Sequence, residues 1–117
     1  MKRALPTLGV VIFASCVQID KLEDYPCPTS GTTLTYQNFG EPFLDEWCNS
    51  CHSAKLGERR GAPEEVVFDD VDDVRKWKER IFERSALGND SMPPGNDDDP
   101  PSSDRKKLAE WLACGAP

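Results

Sequence analysis

The sequence predicts an all-α domain that is small enough to need a stabilising staple. Three stretches place apolar residues at helical spacing between residues typical of helix ends, and two longer stretches, residues 56–65 and 88–103, are predicted as loops. Hydrophobic residues make up only 38% of the 117-residue chain, so little apolar area can be buried. Scaffolds of this size usually depend on a disulfide, a metal or a cofactor.

The first predicted helix ends at a cysteine-rich motif. Asn38 followed by Glu41 resembles a capping box, and Phe43, Leu44 and Trp47 then fall at helical spacing. This pattern predicts a short helix that leads directly into Cys48.

The second predicted helix begins with acidic residues and ends near a glycine. Residues 69–73 include four aspartates, which favour a helix N-terminus. Val74, Trp77 and Ile81 follow at positions i, i+3 and i+7, and Gly88 is predicted to close the helix.

The third predicted helix lies near the end of the sequence. Residues 102–104 offer N-cap choices, Leu108, Trp111 and Leu112 form an apolar stripe, and Gly115 marks the stop. Such stripes occur in any small helical bundle, so they support the fold and not a particular function.

The most specific signal is the sequence Cys-Asn-Ser-Cys-His at residues 48–52, because C-x-x-C-H is the attachment motif of c-type haem. The thiols of Cys48 and Cys51 can each add to one vinyl group of the same porphyrin. His52 would then supply the proximal axial ligand, and it is the only histidine in the chain. The motif predicts one covalently attached haem c.

Three other interpretations of this motif remain: a zinc site, a thioredoxin-like redox pair and a chance match. Structural zinc requires four ligands, and the remaining cysteines are isolated in the sequence. A thioredoxin-like pair would need a βαβ setting, which the pattern of elements does not provide.

Met92 is the predicted second axial ligand of the iron. The only other methionine, Met1, belongs to a segment predicted to be removed. Met92 precedes two prolines in a loop that cannot be helix interior, and such a stiff loop could press a thioether onto iron. The alternative is that Met92 fills a gap in the core.

Together these features make residues 35–117 resemble class I c-type cytochromes, in their small bacterial monohaem form. In that family a helix leads into C-x-x-C-H, and a Met-Pro loop precedes the C-terminal helix. A proline carbonyl accepts the hydrogen bond of the ligand histidine, and Pro63 stands at the matching position. The resemblance implies about three to four helices wrapped around one covalently bound haem, held by Cys48, Cys51, His52 and Met92.

The resemblance also implies that the first and last helices cross. Gly40 and Leu44 match the crossing positions, and their partners would be Leu108, Trp111 and Leu112. Pro42 departs from the family pattern, and it predicts that the first helix starts late or is bent.

Residues 1–15 are predicted to be an export signal. Lys2 and Arg3 form a basic segment, and residues 8–14 form an apolar segment too short to span a bilayer. Residues 13–16 resemble a bacterial lipobox, in which Cys16 would become a lipidated first residue, although Phe13 departs from the aliphatic preference of that motif. Plain cleavage or retention of the segment is the alternative. Residues 16–34 are predicted to be a tether to a membrane.

Two cysteines, Cys27 and Cys114, remain after those assigned to haem and lipid. In the family that the chain resembles, the helices next to them cross, which implies a disulfide in an oxidising compartment. Two free thiols are the alternative.

Charge restricts the partners. Removing Lys2 and Arg3 from the 14 basic residues leaves 12 against 21 acidic residues, a net charge of −9. No basic stripe could neutralise phosphates, so nucleic acid is excluded, whereas a redox protein with a basic docking patch is favoured. Arg59 and Arg60 could either pair with a haem propionate or stay exposed.

The predicted function is one-electron transfer on the periplasmic face of a bacterial membrane. The protein is expected to be a carrier rather than an enzyme, because no residue set for bond-making catalysis is visible. Two alternatives are a haem subunit of a larger oxidoreductase and a haem-based ligand sensor with a labile Met92.

Overall fold

The computed structural model describes residues 9–95 and 98–117, and both parts are helical or irregular, without β-strands. Three α-helices follow one another: α1 at Glu41–Trp47, α2 at Val71–Ser85 and α3 at Ser102–Ala113. A 3-10 turn at Leu22–Asp24 and a π-helical turn at Tyr36–Gly40 precede them. The predicted all-α class is confirmed.

The first helix begins with a π-helical turn because of Pro42. Proline has no N–H and cannot extend the α-helical ladder, and the N–H of Glu41 bonds to the Tyr36 carbonyl five residues back. The capping box forms earlier than predicted: Thr35 Oγ1 accepts from the Asn38 N–H (3.1 Å), and Asn38 Oδ1 accepts from the Thr35 N–H (2.7 Å). The predicted Asn38–Glu41 pair is wrong, but the irregular start is confirmed.

The contact between the first helix and α3 depends on Gly40. A Cβ atom at this position would overlap the Trp111 indole, so only glycine permits this approach. The edge of the Trp111 ring also packs against Phe39, with ring centroids 6.0 Å apart. Leu44, Leu108 and Leu112 belong to the same buried core. The predicted contact of Gly40 with Trp111 is confirmed.

Helix α2 begins where the acidic residues predicted. Asp70 is the N-cap, and its carboxylate accepts a hydrogen bond from the Asp73 N–H (2.9 Å). Val74, Ile81 and Phe82 are buried in the core.

The end of α2 differs from the prediction, because the helix stops at Ser85 rather than near Gly88. Its last carbonyls are bonded by groups that come from later in the chain. The Asn89 side chain donates to the Phe82 carbonyl (3.1 Å), and the Met92 N–H donates to the Arg84 carbonyl (2.9 Å). These partners end the helix without help from a glycine.

Helix α3 has Pro101 at its N-cap, not a side chain from residues 102–104. Its C-terminal end matches the prediction. Gly115 has φ +88° and donates to the Leu112 carbonyl, and Ala116 donates to the Trp111 carbonyl, which is a Schellman motif.

Most of the segment predicted to be a tether, residues 16–34, packs against the helices. Ile19, Leu22 and Tyr25 contact the core, and the Tyr25 ring lies 5.9 Å from that of Phe82. Cys27 forms a disulfide with Cys114, with the two Cα atoms 4.8 Å apart. Residues 19–34 are therefore part of the domain, because apolar residues at three-residue spacing give them one packing face.

Residues 9–18 have no secondary structure, and their apolar side chains, such as Val10 and Phe13, are exposed. Residues 1–8, with Lys2, Arg3 and the first residue of the predicted apolar segment, Leu8, lie outside the described residues. Within the described ranges, no helix has the length and apolar character needed to cross a bilayer.

Candidate functional site

The C-x-x-C-H motif folds as a tight turn at the end of α1. Cys48 is the C-cap, and its N–H bonds to the Leu44 carbonyl (2.8 Å). The Cys48 carbonyl then accepts from the N–H groups of both Cys51 (3.1 Å) and His52 (3.0 Å). One turn thus presents two free thiols and the imidazole close together.

The surroundings of the Cys48 thiol do not activate it as a nucleophile. Burial of the Cys48 thiol raises its pKa to about 12, although the Arg105 cation opposes part of this rise. A reactive C-x-x-C pair depends on a cysteine with a lowered pKa, because the thiolate is the nucleophile. The environment of Cys48 therefore disfavours the thioredoxin-like interpretation.

The His52 imidazole is fixed on one side by a backbone carbonyl. Its Nδ1 lies 2.9 Å from the Val66 oxygen, which can only accept, so Nδ1 carries the proton. The other nitrogen, Nε2, then keeps its lone pair for a metal. The ring also packs on Phe68 (4.8 Å between centroids), whose N–H bonds to the His52 carbonyl.

This hydrogen bond replaces the one expected from Pro63. The Pro63 carbonyl instead accepts from the Val66 N–H (3.1 Å), which closes a turn. That turn brings the carbonyl of Val66, three residues later, to the imidazole. Pro63 therefore affects His52 indirectly, because its turn positions the Val66 carbonyl that accepts the histidine hydrogen bond.

Arg59 joins the two sides of this loop. Its guanidinium donates to the carbonyls of Cys51 (3.4 Å), Glu64 (2.6 Å) and Val66 (3.0 Å). Arg59 thus shares the Val66 oxygen with His52, while Arg60 is exposed. Of the two roles open to Arg59, the fully exposed one is not observed, because its guanidinium donates within the loop.

Asp69 secures the residues that follow His52. Its carboxylate accepts from the Ser53 hydroxyl (2.5 Å) and from the Ala54 N–H (2.8 Å). These bonds, with the Ser53 bond contributing most, hold the pKa of the carboxyl below its ordinary value. The other side of the motif is tied by the Asn49 amide, which donates to Asp45 and to the Phe68 carbonyl.

Met92 lies in a loop that is anchored to both α2 and α3. Its N–H bonds to the Arg84 carbonyl, and its carbonyl accepts from Arg105 (3.1 Å). Because Arg105 also acts electrostatically on the Cys48 thiol, the backbone of Met92 and the motif share one neighbour.

Three side-chain polar atoms among the described residues are buried without a hydrogen-bond partner. They are the side-chain oxygen of Asn49, within the motif, the indole N–H of Trp77, on α2, and Nη2 of Arg105, on α3. Buried polar atoms are normally paired, so such atoms point to an interaction with a further group. Nowhere in residues 9–95 and 98–117 do three His, Cys, Asp or Glu side chains converge as a metal-binding cluster.

The other predicted site residues lie apart from the motif. Cys16 is exposed in the segment without secondary structure, and Cys27 and Cys114 form the disulfide described above. Sequence patterns did not identify Val66, Asn49, Asp69 and Arg105 as parts of the site. Of these four residues, only Arg105 could have been noticed in the sequence, because it is a charged residue one turn before Leu108 on the apolar stripe of α3.

Comparison of this chain with protein-family models, with curated proteins and with solved structures gave no match.

Proposed function

We propose that this protein is a monohaem c-type cytochrome that carries single electrons. The observation that carries the proposal is the state of His52 within the C-x-x-C-H turn. Its Nδ1 is committed to the Val66 carbonyl (2.9 Å), which leaves Nε2 as a ligand. The two neighbouring cysteines are free rather than paired with each other, as thiols awaiting addition to vinyl groups would be.

The residues present fit one haem c. Cys48 and Cys51 would form the thioether bonds, His52 would be the proximal ligand and Met92 the distal ligand. The unpaired indole N–H of Trp77 would suit a carboxylate acceptor on the polar edge of the group. When bound, haem c supplies a reversible one-electron couple between ferric and ferrous iron.

The protein's own residues would keep this couple in one geometry. Val66 and Phe68 fix the orientation of the His52 ring, and Asp69 holds the chain that follows it. The Met92 loop is tied to α2 and α3 through its backbone. Rigid supports on both sides reduce the rearrangement that accompanies each change of charge, which favours electron transfer over ligand exchange.

The net charge of −7 suggests how a partner would bind. An acidic carrier is attracted to a redox protein that presents a basic patch, through a small contact that weakens as salt increases. Lipidation at Cys16 would anchor the carrier on the periplasmic face. Because packing begins at Ile19, only residues 17 and 18 would separate the lipid from the domain.

The proposal is tested with protein produced in a bacterial host that attaches haem c. An optical redox titration is expected to follow a single one-electron transition, and the reduced protein should bind carbon monoxide slowly because Met92 occupies the sixth position. The Cys48→Ala/Cys51→Ala variant, made in the same host, should be colourless. Rapid, stoichiometric binding of carbon monoxide would instead support the ligand sensor, and a colourless wild-type protein would end the proposal.

A further inference from the structure

Arg105 is a buried cation whose contacts lie at the sixth-ligand loop. The residue is 5% exposed, although it occupies a helix in a small acidic protein. Its Nη1 lies within hydrogen-bond distance of three backbone carbonyls: Ser85 (2.8 Å), Asn89 (3.1 Å) and Met92 (3.1 Å). The Arg105 carbonyl also accepts from the Leu87 N–H (3.3 Å). Both its side chain and its backbone thus hold the segment between α2 and Met92.

The charge of Arg105 is only weakly neutralised. The nearest carboxylate in the described residues, that of Asp99, is 3.6 Å from Nη2 and is itself 45% exposed. That distance allows an ion pair but is too long for a hydrogen bond, and Nη2 has no hydrogen-bond partner within the described chain. A buried charge with so little compensation is costly, and an apolar residue would usually be more stable there.

Arg105 also lies near the attachment motif. Its positive charge lowers the pKa of the Cys48 thiol against the larger effect of burial, which requires the two groups to be close. One guanidinium therefore contacts the backbone of the predicted distal ligand and acts on an attachment cysteine. No other described cation of the chain both bonds to the Met92 carbonyl and acts electrostatically on the Cys48 thiol.

We propose that Arg105 positions Met92 as the sixth ligand and raises the reduction potential of the iron. Its hydrogen bonds hold the Met92 backbone, and its buried charge disfavours the more positive ferric state relative to the ferrous state. This inference rests on the proposed function, but it concerns residues that can be followed with or without haem.

The first test compares Arg105→Gln with Lys106→Gln, which removes the same charge from an exposed neighbour on α3. Arg105→Gln is expected to lower the reduction potential and to speed carbon monoxide binding by the reduced protein roughly tenfold, as the hold on Met92 weakens. Lys106→Gln should leave both values close to wild type. Arg105→Lys, which keeps the charge but not the planar fork, should retain most of the potential while still binding carbon monoxide faster.

A second readout does not depend on haem. Amide exchange at Met92, whose N–H bonds to the Arg84 carbonyl, should quicken in Arg105→Gln and remain slow in Lys106→Gln. If Arg105→Gln does not fold, the same measurements on Arg105→Lys decide the question. Amide exchange at Met92 and a carbon monoxide rate that both equal those of the wild type would overturn the inference. Wild-type protein without attached haem would instead refute the proposed function, while the exchange measurement would still report on the role of Arg105.

Discussion

Near Cys114, where α3 ends, polar groups are paired within the protein, whereas at the C-x-x-C-H turn the buried side-chain oxygen of Asn49 has no partner among the described residues. At the first place, which we call the closed end, the Pro117 oxygen accepts from the Tyr36 N–H (2.7 Å) and from the Trp111 indole (3.2 Å). The Arg75 guanidinium bonds to the Ala116 carbonyl (3.1 Å). The disulfide adds a covalent link to the same place.

The second place, which we call the motif end, consists of residues 48–69. There the Asn49 side-chain oxygen is buried without a partner among the described residues. Burial raises the pKa of the Cys48 thiol, which disfavours the thiolate. The protein alone completes the closed end, whereas under the proposed function the haem would complete the motif end.

Removing the disulfide at the closed end is expected to have the largest effect on the free energy of unfolding. The Cys27–Cys114 disulfide joins residues 87 positions apart, and its loss should cost about 2–4 kcal/mol because the unfolded chain gains freedom. We expect Cys27→Ser/Cys114→Ser to unfold at a lower urea concentration, while its haem spectrum below the transition stays unchanged. Ser30→Ala, at an exposed residue close to Cys27, is the control and should unfold like wild type.

The contact between Gly40 and Trp111 gives the next effect. Gly40→Ala should destabilise the domain by about 1–3 kcal/mol, because the added methyl group meets the indole. Gly57→Ala is a matched control, since no atom lies within 4 Å of its Cβ position. In a Trp111→Ala background the cost of Gly40→Ala should disappear, and an undiminished cost in the double variant would exclude this contact as its cause.

Asp69 tests the motif end by pH. Its pKa is lowered in the folded protein, chiefly by the Ser53 hydrogen bond, so its contribution is present above the unfolded pKa and is lost as pH falls through the folded pKa. Asp69→Asn should therefore cost about 1–2 kcal/mol at neutral pH, and this cost should shrink as the pH falls below the ordinary range of an aspartate carboxyl, measured by urea unfolding. The exposed Asp72→Asn should change neither the stability nor its pH dependence appreciably. A loss that does not vary with pH would contradict this role for the carboxylate.

The smallest effect concerns Cys48 in haem-free protein. Its raised pKa, about 12, means that the stability it contributes is present below the unfolded thiol pKa and is lost as pH rises through the folded pKa. Haem-free protein should thus lose stability in mild alkali, and Cys48→Ser should reduce that loss. Alkylation near pH 8 should be at least about tenfold slower at Cys48 than at the exposed Cys16. Equal rates would show that the thiol is not enclosed.

Sequence patterns predicted the closed end better than the motif end. Gly40 and Trp111 could be paired from the family resemblance, and Asp70 and Gly115 marked helix ends through local chemistry. Local rules apply to Asp70 and Gly115 because their hydrogen-bond partners lie within one helical turn. The π-helical turn before Pro42 was anticipated only as an irregular start.

Contacts between distant parts of a loop could not be predicted in this way. Spacing alone could not show that the Val66 carbonyl, rather than that of Pro63, would turn towards His52. It could not show that Asn89 and Arg105 would bond to the last carbonyls of α2 and end it at Ser85. Both outcomes depend on how a long loop folds over a neighbouring helix.

The most direct test is the visible spectrum of denatured, acid-acetone-extracted protein from a host that attaches haem c, recorded oxidised and then reduced. We predict that the haem bands stay with the wild-type polypeptide and are lost from it in the Cys48→Ala/Cys51→Ala variant. Extraction of all colour from the wild-type chain, or a colourless chain before extraction, would contradict covalent haem at the motif and with it the proposed electron carrier.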